Sequence, residues 1–154
     1  MNEQIRNQIF EVAKIEIGVT EVPANSNHTK YGEWFGFQGV PWCAIFCSYC
    51  YSFGGHPITN GGYYKGFAGV GTAMMNFKDN LTKEPQLMDL VIFDWNYDHK
   101  PDHVGLFVQW IDRENGTFET IEGNTSTTNQ SNGGAVMKRE RNLRQVAGFI
   151  NLIG

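Results

Sequence analysis

The chain has 154 residues, enough for one domain with its own core and too few for two. Hydrophobic residues at 41% and charged residues at 18% exclude a disordered tail, and a net charge of −4 without a Lys/Arg stripe argues against nucleic acid as a partner. No apolar run reaches the ~18 residues of a membrane span, and MNEQIRNQIFEV lacks the apolar centre of a signal peptide, so neither a membrane partner nor a secretion signal is expected.

Ile5, Ile9, Val12 and Ala13 recur at helical spacing and predict an amphipathic packing helix over 3–17, stopped by Gly18. Residues 20–27 are turn-rich and read as a loop. The aromatic run TKYGEWFGF predicts a short helix over 29–37 flanking a cleft. Small and apolar residues predict a helix over 43–53, with Pro41 just ahead and Gly54-Gly55 as its stop. Phe67, Val70, Met74 and Phe77 predict a further helix over 67–78.

After Pro85 the period becomes that of strands. Residues 90–95 suit a short buried strand. Residues 103–110 alternate, placing Val104, Leu106, Val108 and Trp110 on one face and His103, Gly105, Phe107 and Gln109 on the other. Glu114-Asn115-Gly116 signals a hairpin turn into a strand over 117–122, and strands are expected over 135–139 and 147–152. Lys138-Arg139-Glu140-Arg141 alternates in sign and reads as a solvated strand end. Helices first and an antiparallel sheet second give an α+β class, as a single domain over 1–154.

Cys43 falls in the first turn of its helix, where unpaired backbone N–H groups and the positive end of the macrodipole favour a thiolate. It is the candidate nucleophile. His103 opens an apolar strand and is the candidate base, since a histidine at a strand mouth can lie against a helix N-terminus packed on that sheet. Across the hairpin, alternation puts Thr120, Glu122 and Asn124 on one face, and Glu122 or Asn124 can fix the imidazole tautomer. His99 is the alternative base but lies four residues upstream in a loop, and His28 and His56 also fall in loops. Three cysteines, an odd number, read as thiols, with Cys47 and Cys50 in the core. The spacing Cys43, Cys47, Cys50 also resembles an iron–sulfur motif. It sits within a helical apolar segment that leaves no exposed cluster loop, so no cofactor is expected.

PWCAIF, PDHVGLFV and TIEGN, with IGVTEVP, KYGEWFG, TAMMNF and EPQLMDLVIFDW around them, resemble the cysteine/histidine-dependent amidohydrolase/peptidase (CHAP) domain. That resemblance implies a papain-like fold, with N-terminal helices packed on an antiparallel sheet, used as the catalytic module of phage endolysins and bacterial wall hydrolases. It implies Cys43 as nucleophile, His103 as base, and Glu122 and Asn124 completing the site. The implied activity is a peptidoglycan hydrolase cutting an amide, an N-acetylmuramoyl-L-alanine amidase or alternatively an endopeptidase of the stem peptide or cross-bridge. A catalytically dead wall-binding domain on the same fold is the rival, and Cys43, His103 and Glu122 together favour the enzyme. The Cys43 N–H is assigned to the oxyanion, with Gln38 or Tyr31 as side-chain partners, and Trp34, Trp42 and Trp95 as groove walls. The expected partner is bacterial peptidoglycan, with targeting by a separate wall-binding module or subunit, after synthesis in the cytoplasm and release by a holin. The sequence departs from relatives at Trp42, where many carry Gln, and at Leu87-Met88-Asp89, where Pro-Gly-Asp is usual. The acidic calcium loop that some relatives carry upstream of the nucleophile has no counterpart, so no metal is expected.

Overall fold

The chain lays down its helices before its sheet, and the nucleophile candidate falls in the first half while base and acid fall in the second. A computed structural model describes residues 1–154. Helix α1 (Asn2–Glu16) buries Ile9 and Ala13, and α2 (Lys30–Phe35) is a short helix with a well-built cap. There the Thr29 hydroxyl accepts from the Gly32 N–H, and Gly36 closes the helix in the left-handed region at φ 103°. Helix α3 (Cys43–Phe53) is apolar on nearly every side because α1 and α2 pack on it from one side and the sheet from the other. No helix is long and apolar enough to cross a membrane.

The helix expected over 67–78 contracts to α4 (Ala73–Asn76) and a 3-10 turn at Lys78–Asn80. Gly69 and Gly71 explain the difference, since each glycine costs a helix about 1 kcal/mol relative to alanine. Phe67 still reaches the core, edge-to-face against Phe77 at 5.6 Å, but does so from a loop.

Six strands, β1 (Leu81–Thr82), β2 (Leu90–Phe93), β3 (His103–Asp112), β4 (Thr117–Thr125), β5 (Ala135–Asn142) and β6 (Val146–Ile150), form one antiparallel sheet in the order β1-β6-β2-β3-β4-β5. Val104, Leu106, Ile121 and Val136 join the helices in the main core. A second cluster of Val91, Phe93, Phe107, Phe118 and Phe149 has no helix over it, and its own rings seal it. The fold is the α+β arrangement of a papain-like protein, helices on an antiparallel sheet.

Two strand expectations are corrected. A bulge between Phe107 and Gln109 breaks the alternation of β3, so Trp110 joins Phe107 on the aromatic face, 5.5 Å away, instead of following Val104 and Leu106. Strand β5 runs on to Asn142, and Arg141 is 4% exposed, so the supposed solvated strand end is part of the sheet. At the departure Leu87-Met88-Asp89, Met88 takes φ 69°, a conformation that glycine adopts freely and a side chain does not. The turn is tied down by Arg6, whose guanidinium donates to the Leu87 carbonyl at 2.7 Å and to buried Asp89 at 2.6 Å. The same guanidinium reaches Asn151 and the Gly154 carbonyl near the other end of the chain.

Candidate active site

Cys43 is the first residue of α3 and lies 6% exposed at the inner end of a cleft of about 440 Å³. Val40, Pro41 and the loop Ala68–Val70 make its apolar wall; Asp102, Ser131 and Asn132 make the polar one. His103 is the first residue of β3, so the start of a helix and the start of a strand meet there. Its Nε2 donates to Glu122 Oε1 at 2.9 Å, which leaves Nδ1 for the thiol. Nδ1 is buried and makes no other hydrogen bond, and the mutual influence of imidazole and thiol puts the two groups side by side.

The electrostatics follow from this layout. Burial pushes the Cys43 thiol up, but the hydrogen bond and charge of His103, helped by the N–H groups of Val104 and Ala44, bring it below its ordinary value. Burial pulls His103 down, and the Cys43 thiolate followed by Glu122 overcomes it, raising the imidazole to about 9. Burial likewise opposes the Glu122 charge, and Arg141 followed by His103 holds the carboxyl down at about 2. Each charge of the set is thus favoured by its neighbour: the imidazolium and the carboxylate hold at neutral pH, and the imidazolium draws the thiol toward its ionised form. Cys47 and Cys50 have no such neighbours, and burial pushes both thiols well up.

Glu122 reaches His103 because of a glycine. Gly105 is the residue of β3 beside Glu122, and a Cβ built there would stand 2.7 Å from Glu122 Cγ. The missing side chain lets the carboxylate lie across β3 to the imidazole. Gly105→Ala should therefore displace Glu122, lower stability by about 1–3 kcal/mol and reduce turnover at least tenfold. Thermal melting and turnover measured on one preparation check both, and a variant with full turnover would show that Glu122 need not lie there.

Of the residues flagged from sequence, the structure brings Cys43, His103 and Glu122 together. Asn124 makes no side-chain hydrogen bond to any of the three. It sits past a second bulge at φ 60°, donates to Asn132 and accepts from the Gly134 N–H, so it braces the 126–134 loop that carries Ser131 and Asn132 to the cleft. Gln38 bonds the N–H and carbonyl of Thr29 through its side chain, which leaves its amide engaged away from the thiol. Tyr31 is fully buried and donates to Glu16, and Trp42 is 1% exposed with its indole N–H on Glu21, so neither lines the cleft. Trp34 packs edge-on against Tyr49 and Phe35 with Lys65 over its face. Trp95 stacks on Phe93 at 4.7 Å and lies 6.0 Å from His103, screening the buried pair from water.

Sequence reasoning missed Arg141. Its Nε donates to Glu122 Oε2 at 2.8 Å and its Nη2 to Oε1 at 2.5 Å. Reading the period-2 pattern through to residue 142 would have placed Arg139 and Arg141 on the face of Glu122 and Phe118. The metal-like grouping in the chain is Asp94, Asp98 and Asp102, one oxygen from each within 4.8 Å of the others. Asp102 accepts from the Trp95 N–H, and Asp94 from those of Asp98 and His99, so these carboxylates cap the loop between β2 and β3.

Residues 35–124, which include every member of the Cys43–His103–Glu122 set, match the family model of the CHAP domain. Among solved structures, the chain resembles the one described as the crystal structure of a wild-type endolysin, LysIME-EF1, with a TM-score of 0.50 and 16% identity. The match covers 96% of this chain and 64% of that one, so the chain spans less than two thirds of that endolysin. The comparison with curated proteins finds no match.

Proposed function

The chain belongs to the CHAP family, and from that premise we propose that it is an endolysin-type peptidoglycan hydrolase that cleaves an amide through a Cys43 acyl-enzyme. The observation that carries this reading is the buried relay in which Cys43, His103 and Glu122 hold charges suited to nucleophile, acid–base and orienter. The Cys43 thiolate attacks the amide carbon. The negative oxygen that forms is received by first-turn N–H groups of α3, among them that of Cys43, which have no acceptor within the helix. Nδ1–H of His103 then protonates the departing amine as the C–N bond breaks, leaving a thioester. Water, giving its proton to Nδ1, opens the thioester and frees a carboxylate and the Cys43 thiolate. Glu122 holds the ring throughout and stabilises its charged form.

Within amides we favour the bond between muramic acid and L-alanine, on the strength of family resemblance. The alternative is a bond inside the stem peptide or cross-bridge. Targeting is assigned to a separate wall-binding module or subunit, because a chain of net charge −4 has no general attraction for an anionic wall. Release by a holin completes the endolysin reading.

Digestion of purified walls should release new amino groups and no new reducing sugar ends, because glycoside cleavage uses two carboxylates across a sugar ring. Glu122, the acid of this site, is fully buried and bonded on both oxygens. Mass spectrometry then identifies the bond: stem peptides with free N-terminal alanine beside bare glycan mean an amidase, and muropeptides cut within their stems mean an endopeptidase. A rise in reducing ends would overturn the cysteine-hydrolase reading.

A further inference from the structure

Glu122 is held by more than the imidazole. Its two oxygens accept from His103, from the fork of Arg141 and from the Thr120 hydroxyl, so one buried anion lies between two cations. With the Cys43 thiolate, the chain of charges reads minus, plus, minus, plus. Removing the outer plus would leave a net negative, largely buried cluster, and such a cluster takes up a proton. The sulfur at its other end is where that proton would do most harm.

The surroundings leave Arg141 as the cation in contact with Glu122 besides His103. From α3 the groups facing the pair are Cys43 and Cys47, neither of them a cation. From β5 comes Arg139, whose guanidinium bonds Thr125 and the Ser126 carbonyl and does not touch Glu122. From β4 come Thr120 and Thr125, the latter 3.4 Å from Arg141 Nη2. The guanidinium lies 4.9 Å from the Trp95 ring centre and 5.5 Å from that of Phe93, and it also bonds Gln130. That geometry fixes the fork and ties it to the 126–134 loop lining the cleft.

We propose that Arg141 is a positioning residue of this active site, supplying the positive charge that keeps the Cys43 thiolate in being at neutral pH and the two-pronged hold that aims Glu122 at His103. The proposal rests on the reading of Cys43 and His103 as the reacting pair.

Alkylation of Cys43 by iodoacetamide, followed by mass spectrometry against pH, tests the charge without any substrate. Wild type should alkylate readily at pH 6. Arg141→Met should shift thiolate formation upward by about one pH unit or more, slowing alkylation at pH 6 about tenfold or more, while rates at pH 10 converge. A profile that coincides with wild type, or moves downward, overturns the proposal even if melting falls. Arg141→Lys should restore the alkylation profile and still lose about tenfold in wall lysis, because a lysine cannot reproduce the fork. Lysis at the wild-type rate by Arg141→Lys also overturns the proposal, and this arm decides if Arg141→Met does not fold. Failure of the hydrolase reading looks different: wild type would not lyse walls, yet the alkylation shift would remain.

Discussion

Cys43→Ala should abolish wall lysis, by about a thousandfold or more as for loss of a nucleophile that acts as a unit with its base, and leave circular dichroism unchanged. The side chain is small and faces the cleft, so its loss opens little space in the core. Stability should move by less than about 1 kcal/mol. Cys47→Ala and Cys50→Ala should do the opposite, each costing about 1 kcal/mol as core truncations and keeping activity, because both are fully buried with thiols pushed up by burial. Iodoacetamide should accordingly add to Cys43 and spare the other two. A Cys43→Ala protein that still lyses walls would remove the nucleophile from the mechanism, whatever the fold.

Glu122→Gln should be the most destabilising conservative change in the site. It leaves Arg141 buried without its counter-charge, and breaking one side of a buried pair costs about 3–5 kcal/mol. It also withdraws the charge that helps raise His103, so turnover should fall further than in Asn124→Ala, whose residue braces a loop. The pH dependence has a definite sign. The folded-state carboxyl of Glu122 sits at about 2, below the ordinary 4.5, so its contribution is full above 4.5 and is lost as pH falls through about 2. Below that point wild-type Glu122 is neutral, as glutamine always is. The stability gap between the two proteins, measured by denaturant unfolding, should thus be full at pH 7 and close toward pH 2. A gap that stays constant with pH would mean that Glu122 is not held ionised by its partners.

The parts of the fold legible in the sequence are those with strong local signals. The helix over 43–53 appears with those bounds because Pro41 and Gly54 punctuate it, and the hairpin around Asn115-Gly116 is where its turn residues put it. The strand alternation is correct as far as Val108 and fails at Trp110, since a bulge inserts a residue for which no single-strand pattern gives notice. The same limit hid the role of Asn124. Alternation assigns it to the face of Glu122, and a second bulge with a left-handed backbone turns it into the neighbouring loop. Arg141 is obscured for another reason: a charged run at a strand end is usually solvated, so the expected strand stops at 139 and its alternation is not followed to Arg141. Gly105 carries no sequence signal at all for its contact with Glu122, because the contact lies between strands.

The hairpin of β3 and β4, with β5 beside it, holds His103, Glu122 and Arg141 within a short stretch of chain, each bonded pair 19 residues apart. Cys43 comes from the helical layer, which reaches the sheet only through tertiary packing. Local contacts close faster than distant ones during folding. The imidazole, carboxylate and guanidinium are joined by contacts of much shorter range than the one that brings the nucleophile to them. On the proposed mechanism, hydrolysis then depends on the packing of the helical layer on the sheet, because that packing alone brings the nucleophile to its base.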